Sequence, residues 1–268
     1  MPGFASYNDI INAVSASGKF FDYCWVKAGP AAQAAGQWMS LWYAAGLPGA
    51  GVDPATTPGT AYDNAAGSIF GADVDPEYRH LLTFGGAASV NCTLMLYDRL
   101  VGVSGLSLNA TGDKDISSAA LPRYADGIGV MAALELTVAS TAAGAMTLSV
   151  YTNEHDQAAQ AGPSFSLPAA ATAVRTWVPV PLQAGDHGIK KGTTLNVATA
   201  ATGAVVNFVL YKPIALIPLL ANVWNERDMV LQLCGLPRLY DGHSLALAQM
   251  MTAVTATTHW GQFRAAYE

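Results

Sequence analysis

Histidine is the side chain whose charge ordinarily changes near neutral pH, so the five histidines are the first place to look for chemistry. They are His80, His155, His187, His243 and His259. No two of them form a His-x-x-x-His or His-Glu-x-x-His pair, the spacings that aim two imidazoles from one helix face at a metal. The densest local cluster is Glu154-His155-Asp156, with Asp186-His187 in a second polar loop between Gly185 and Gly188. Both follow or precede apolar runs and read as solvated turns. A Ser-His-Asp triad is assembled in space rather than along the chain, but the Gly-x-Ser-x-Gly elbow that would announce one is absent. Gly85-Gly86 and Gly102–Gly105 lack the lysine and the spacing of a phosphate loop.

Cys24, Cys92 and Cys234 are scattered and odd in number, which is neither a disulfide framework nor a zinc pattern. They read as three buried thiols of a reducing compartment. Asn91-Cys-Thr and Asn109-Ala-Thr match the glycosylation triplet by chance if no secretion signal precedes them. Trp177 and Trp260 are candidate sugar platforms, with core packing as the competing role. The paired carboxylates of a glycan hydrolase cannot be picked out. The expectation is a protein that is not an enzyme, with no catalytic residues, no metal and no cofactor.

Composition points the same way. Charged residues make up 12% of the 268 residues, against about 25% in an average chain. Much of the surface is therefore expected to be covered by neighbouring subunits, because buried contacts are where charge is depleted. The net charge is −6 and there is no basic run, which argues against a surface that neutralises phosphates. No tract approaches the roughly 18 apolar residues of a membrane helix. The N-terminus lacks the charged and apolar regions of a secretory signal.

The elements that would position any site are mostly strands. Cys92–Leu96, Ile128–Val138, Met146–Tyr151, Val174–Pro179, Thr194–Thr199 and Ala204–Tyr211 are short apolar runs separated by Asn, Asp and Gly turns. Leu134, Leu136 and Val138 alternate with Glu135 and Thr137, as one buried sheet face requires. No helical pattern lies between Phe84 and Tyr211, which excludes a doubly wound sheet. Lys212-Pro213 is expected to end its strand. Tyr7–Ala16 predicts a helix capped by Ser6, with Asp9 in its first turn and Gly18 beyond its end. Pro30 opens a second predicted helix, Ala31–Ala45, whose apolar face carries Trp38, Leu41 and Trp42.

Gly46–Gly71 reads as an extended loop or arm, and Asp73–Arg79 as a charged patch. Leu245–Thr255 is ambiguous between helix and strand, and the tail from His259 either closes a sheet or reaches a neighbour. Leu121-Pro-Arg-Tyr-Ala-Asp-Gly is echoed by Leu236-Pro-Arg-Leu-Tyr-Asp-Gly, either reused turn chemistry or two equivalent corners. The predicted architecture is mainly β: an antiparallel β-sandwich, jelly-roll-like, over residues 81–268 with its C-terminal extension. Residues 1–80 form an N-terminal arm of short helices and a Gly/Pro-rich loop.

Several stretches together resemble a recurring structural protein of tailed bacteriophages. They are Leu96-Tyr-Asp-Arg-Leu, Ser104-Gly-Leu-Ser, Ala119-Ala-Leu-Pro-Arg-Tyr, Asp126-Gly-Ile-Gly-Val, Thr147–Asn153, Pro179–Ile189 and Ile217–Asn222. The resemblance covers roughly Trp38 to Met250 and none of its motifs is catalytic. It implies a virion component, either a capsid decoration (cement) protein or a minor capsid protein. Its partners would be the major capsid protein or neighbouring virion subunits, it would form homo-oligomers, and it would assemble in the host cytoplasm. The alternatives are a tail, baseplate or host-glycan-binding module, and last a glycan hydrolase. Phe20, Phe21, Trp38 and Trp42 are the expected partner contacts, since aromatic residues dominate binding hot spots.

Overall fold

The computed structural model describes residues 4, 6–16, 18–30, 35–69, 79–167, 174–230, 236–253 and 256–267. One helix, α1 (Tyr7–Ser15), precedes strands β1 (Phe20–Ala28), β2 (Trp38–Ser40), β3 (Gly46–Leu47), β4 (Thr60–Ala61) and β5 (Arg79–Ala88). Then come β6 (Cys92–Ser107), β7 (Gly112–Asp115), β8 (Met131–Val138), β9 (Gly144–Asn153), β10 (Phe165–Leu167) and β11 (Thr176–Val180). The chain ends with β12 (Ile189–Thr199), β13 (Val205–Leu219), β14 (Asn225–Asp228), β15 (Arg238–Leu239), β16 (Leu245–Met251) and β17 (Thr258–Tyr267). Every pairing between these strands is antiparallel. The mainly β, antiparallel fold class predicted from the sequence is what the chain adopts.

The central sheet closes on itself. β13 pairs with β8, β8 with β11, β11 with β2, β2 with β16, β16 with β6, and β6 again with β13. The result is a small barrel whose wall is closed by hydrogen bonds. β4 adds to the far half of β6 at Val101 and Gly102. A barrel of few strands has room inside only for side chains, and every second residue of the wall supplies them. Met95, Tyr97, Ala133, Trp177, Val209, Tyr211, Ala246 and Ala248 form one buried cluster.

Two further sheets cover the outside of the wall. The order β14-β5-β17-β1-β3, with β15 also on β5, packs Trp25, Phe84 and Phe263 onto Leu94, Leu96, Ile217, Leu219 and Leu247. The order β10-β9-β12-β7 packs Met146, Leu148, Leu195 and Val197 onto Val103, Leu134, Leu136, Val206 and Phe208. The long β6–β13 ribbon, paired from Val205–Ser107 to Leu219–Cys92, serves all three layers.

Several expectations change here. The predicted helix Ala31–Ala45 is not one: residues 31–34 lie outside the described set, and Trp38–Ser40 is strand β2. Those three residues fill the gap between β11 and β16, and pairing on both sides outweighs the local helical pattern. Within residues 1–80, β1 is hydrogen-bonded between β17 and β3. Lys212-Pro213 does not end its strand; β13 runs on to Leu219 and absorbs the proline at a register shift between Pro213 and Ala215. The tail closes a sheet, since β17 lies between β5 and β1. Cys24 is exposed and Cys92 buried, so the thiols are not all core residues. Cys234 and the patch at 73–78 fall outside the described residues.

Helix α1 starts as predicted. The Asp9 amide donates to Ser6 Oγ at 3.3 Å and Ser6 Oγ donates to the Asp9 carboxylate at 2.9 Å. Its C-cap is Ala16, followed by Gly18 at φ +81°.

Candidate functional site

The barrel interior is where polar chemistry is most concentrated. Tyr97, Trp177 and Tyr211 pack ring against ring, with centroids 5.0–5.5 Å apart. One position further along β6 and β8, in the same inward-facing rows, are Arg99 and Glu135. Arg99 Nη2 donates to Glu135 Oε2 at 2.7 Å, and both side chains are fully buried. The guanidinium lies 5.2 Å from the Trp42 ring and 5.1 Å from the Tyr62 ring.

A chain of hydrogen bonds leads outward from this pair. The Tyr43 hydroxyl donates to Glu135 Oε2 at 3.2 Å, and Asn207 Nδ2 donates to Tyr43 Oη and to Asp53 Oδ1 at 3.0 Å each. It ends at a small cavity of about 150 Å3 at the barrel mouth, lined by Tyr43, Asp53, Thr137 and Arg175. Arg175 is held at φ +80° and stacks 5.5 Å from the Tyr43 ring.

The electrostatics of this network lock it rather than activate it. Burial alone would lower the Arg99 pKa, but the Glu135 carboxylate and the surrounding tyrosines raise it well above its ordinary value. Burial, then the Glu135 carboxylate, pushes the Tyr43 phenol far up. General acid–base work calls for a group that titrates near the working pH, and neither of these does. The pair acts as a cross-brace between β6 and β8.

A second buried pair ties the first Leu-Pro-Arg corner to the barrel. Arg123 donates from Nε and Nη2 to the two Asp98 oxygens at 2.9 and 2.8 Å, and from Nη1 to the Tyr62 carbonyl at 2.8 Å. The Ser244 amide, from the turn before β16, also donates to Asp98 Oδ1 at 2.9 Å. This arginine therefore bonds a backbone carbonyl as well as a carboxylate.

The two polar loops singled out by sequence come together. The His187 amide donates to Glu154 Oε1 at 2.8 Å, and Asn153 Nδ2 donates to Asp186 Oδ1 at 2.9 Å. The Tyr151 hydroxyl donates to the other Asp186 oxygen, and Lys190 Nζ to Asp156 Oδ1 at 2.7 Å. Burial pushes the Glu154 pKa up, but the His187 amide, its own amide and His155 outweigh it and leave the carboxyl below its usual value. The arrangement is a latch between the ends of β9 and β12. Among the described residues no three His, Cys, Asp or Glu side chains converge as metal ligands.

The expected partner contacts do not form one surface. Trp42 is 1% exposed, donates Nε1 to the Val52 carbonyl at 3.0 Å and stands edge-on to Tyr62. It is a core residue, because the turn after β2 folds into the barrel instead of continuing a helix. Phe20 and Phe21 are half-buried on opposite faces of β1, Phe21 against Tyr267 at 4.9 Å. Trp38 is half-buried beside the barrel cluster. Trp177, the candidate sugar platform, is 2% exposed and also core.

Large apolar side chains are exposed elsewhere. Tyr7, Ile11 and Val14 share one face of α1 at helical spacing, with Ile11 59% exposed. Leu216, Leu220, Val223 and Trp224 are exposed along the end of β13 and the turn into β14, with Leu220 57% and Trp224 45% exposed. Val26 and Leu47 are paired across β1 and β3 and are both exposed. The α1 face was visible in the sequence as its 7, 11, 14 spacing. The β13–β14 turn was not, because Ile214–Leu220 gives no sign of which alternate residues face out.

No family model matches the chain, and no curated protein matches it. Among solved structures it is similar to the infectious bursal disease virus VP2 subviral particle at 7% identity, covering 93% of this chain and 80% of that one, with a TM-score of 0.18. It is also similar to the infectious bursal disease virus Gt strain structure, at 9% identity with 93% and 81% covered and a TM-score of 0.17. A D431N mutant VP2 of that virus, from T=1 particles, gives 8%, 93%, 78% and 0.18. At these scores the likeness carries no argument about this chain.

Proposed function

We propose that this chain is a virion structural protein of a tailed bacteriophage, a capsid decoration or minor capsid protein that braces the head lattice. One observation carries the reading. The barrel and its two covering sheets already bury a full set of core residues, yet Leu216, Leu220, Val223 and Trp224, within nine residues of one another along the chain and with Leu220 bridged to Val223, are left exposed to water. Covering side chains that are already about half-buried contributes on the order of 1 kcal/mol each, and a surface with only 12% charged residues in the chain offers little to oppose that contact. The resemblance of the Leu96–Leu100, Ala119–Tyr124, Asp126–Val130 and Ile217–Asn222 stretches to phage structural proteins supports the same class.

The mechanism is adhesive rather than catalytic. A closed barrel is a rigid body; one buried ion pair braces β6 against β8, and a second ties the corner at Arg123 to β6. Repeated copies gripping adjacent capsomers would share the outward load of packaged DNA through multivalency. The partner surface would be the major capsid protein or another virion subunit, with copies of this chain beside it. Phe21 and Trp38, still half-open to solvent, would make separate contacts.

The test is occupancy on purified particles. Replacing Leu220 and Trp224 by Ser should leave the isolated protein folded and strip it from virions, read by quantitative mass spectrometry. Unchanged occupancy would remove this turn as the contact. Immunogold labelling of tails rather than heads would transfer the protein to the baseplate or tail.

A further inference from the structure

The two Leu-Pro-Arg corners meet in space. Each turns on an Asp-Gly glycine at φ +73°, Gly127 in the first and Gly242 in the second. The Tyr124 and Tyr240 rings contact edge to face with centroids 4.7 Å apart. The corners then differ in what their arginines do. Arg123 is turned inward onto Asp98, whereas Arg238 lies over the Tyr240 ring at 4.3 Å, half-buried at the surface. Lys212 Nζ stands 5.6 Å from the Tyr124 ring centroid and donates to the Ile128 carbonyl at 2.7 Å, which leaves two of its protons for a ligand.

Two open cavities, about 360 and 420 Å3, flank this aromatic ridge and share Tyr124, Arg238 and Tyr240. The first is otherwise lined by Lys212, Pro213, Ile214, Leu236 and Pro237, with cations but no acid. The second adds Pro122, Ala125, Asp126, Asp241 and Arg123, whose charge is already paired with Asp98. Tyr124 is held at φ +54°, a conformation an L residue avoids unless the surroundings enforce it, and such strain gathers at functional sites.

We propose that this double groove binds an acidic saccharide. Its carboxylate would sit in the first lobe against Lys212 and Arg238, its hydroxyls would donate to Asp126 and Asp241 in the second, and a sugar ring would lie on the tyrosine ridge. Each lobe is of the size that takes a small ligand. A guanidinium offers paired donors that match a carboxylate. Carboxylates are acceptors, so the second lobe selects a ligand rich in O–H donors and rejects one that carries acid along its whole length. An acidic peptide would bring its charges against Asp126 and Asp241. The inference stands on the groove alone and does not depend on where in a virion the chain sits.

Calorimetric titration of the full chain tests it with three acidic probes: tetragalacturonate, a hyaluronan tetrasaccharide and 3′-sialyllactose. Maltotetraose and a tetraglutamate peptide serve as controls. At least one acidic saccharide should bind with a Kd of roughly 0.1–1 mM, and maltotetraose about tenfold more weakly. Arg238→Gln and Tyr240→Ala should each weaken that binding about tenfold. The thermal midpoint shows whether each variant is folded, and Asp241→Asn, a nearly isosteric change, provides a third variant that should also weaken binding. No binding of any acidic probe to the folded protein would overturn the proposal. So would equal binding of maltotetraose, tighter binding of tetraglutamate, or undiminished binding by all three variants.

Discussion

Removing the charge of Glu135 while keeping its shape, as Glu135→Gln, would leave the Arg99 guanidinium buried with no carboxylate. The pair is fully enclosed, Glu135 also accepts from the Tyr43 hydroxyl, and the guanidinium faces the rings of Trp42 and Tyr62. Aromatic faces attract a cation but do not neutralise it, and breaking a buried pair from one side costs about 3–5 kcal/mol. An unfolding entropy of about 2.1 cal/mol/K per residue gives roughly 0.56 kcal/mol/K for a chain of this length, so the midpoint should fall by roughly 5–9 °C. Arg99→Met should cost a similar amount, since Glu135 would keep only the Tyr43 hydroxyl as a donor. The double variant Arg99→Met/Glu135→Gln removes both charges and keeps the Tyr43 contact. It should melt within about 2 °C of the parent or above it, because a buried pair is worth little against a neutral replacement. Scanning calorimetry of the four proteins closes the cycle. Additive losses in the double variant, or single losses under about 1 kcal/mol, would refute the claim that the barrel is braced by this pair.

Other outcomes follow from buried groups and tight contacts. Burial lowers the pKa of His259 to about 4, against a small raising effect from the Lys27 backbone. Burial, then the Arg79 and Arg123 charges, lowers that of His243 to about 3. The unfolded chain, with histidine near 6.5, takes up these protons first, so stability is full above about pH 6.5 and falls as pH drops toward 4 and 3. His259 alone should remove roughly 3 kcal/mol by pH 4, and His259→Gln should flatten that part of the urea-midpoint profile. Cys24 should alkylate readily in the native protein while Cys92, buried and with its pKa pushed up to about 11, should react only on unfolding; peptide mass mapping distinguishes the two. Gly261→Ala would set a Cβ 2.2 Å from the Trp25 ring and 2.4 Å from the Gly85 carbonyl, in the middle of the β5–β17–β1 sheet. It should destabilise by about 1–3 kcal/mol in chemical denaturation, and a neutral result would mean those strands are not packed this closely.

Much of the β architecture was legible in the sequence, and the reasons for the misses are physical. Alternation at Leu134, Leu136 and Val138 reports a strand because period two is a local property, but the single buried face it suggested is not found: Glu135 is fully buried inside the barrel and Val138 is exposed at the strand end. Closure of the barrel is not local. It depends on three residues, Trp38–Ser40, pairing with β11 and β16, which lie more than a hundred residues away. A proline followed by Trp38, Leu41 and Trp42 looks helical until those partners are known. Pro213 was a fair stop signal, but a bulge let β13 continue. Arg99 and Glu135 were in plain view, yet only the fold shows that their strands lie either side of β13 and bring the two side chains within 2.7 Å. The Leu-Pro-Arg echo was the best of the sequence clues to a site, because the same turn chemistry, repeated, produced two corners that touch.

A cryo-electron microscopy map of the phage particle that carries this protein tests its virion role most directly. The barrel with its two covering sheets should dock into density on the head surface, with Leu220, Val223 and Trp224 pressed against a neighbouring subunit. Particles complete to high resolution with no density for this chain, or with that turn facing solvent on every copy, would contradict the role assigned here.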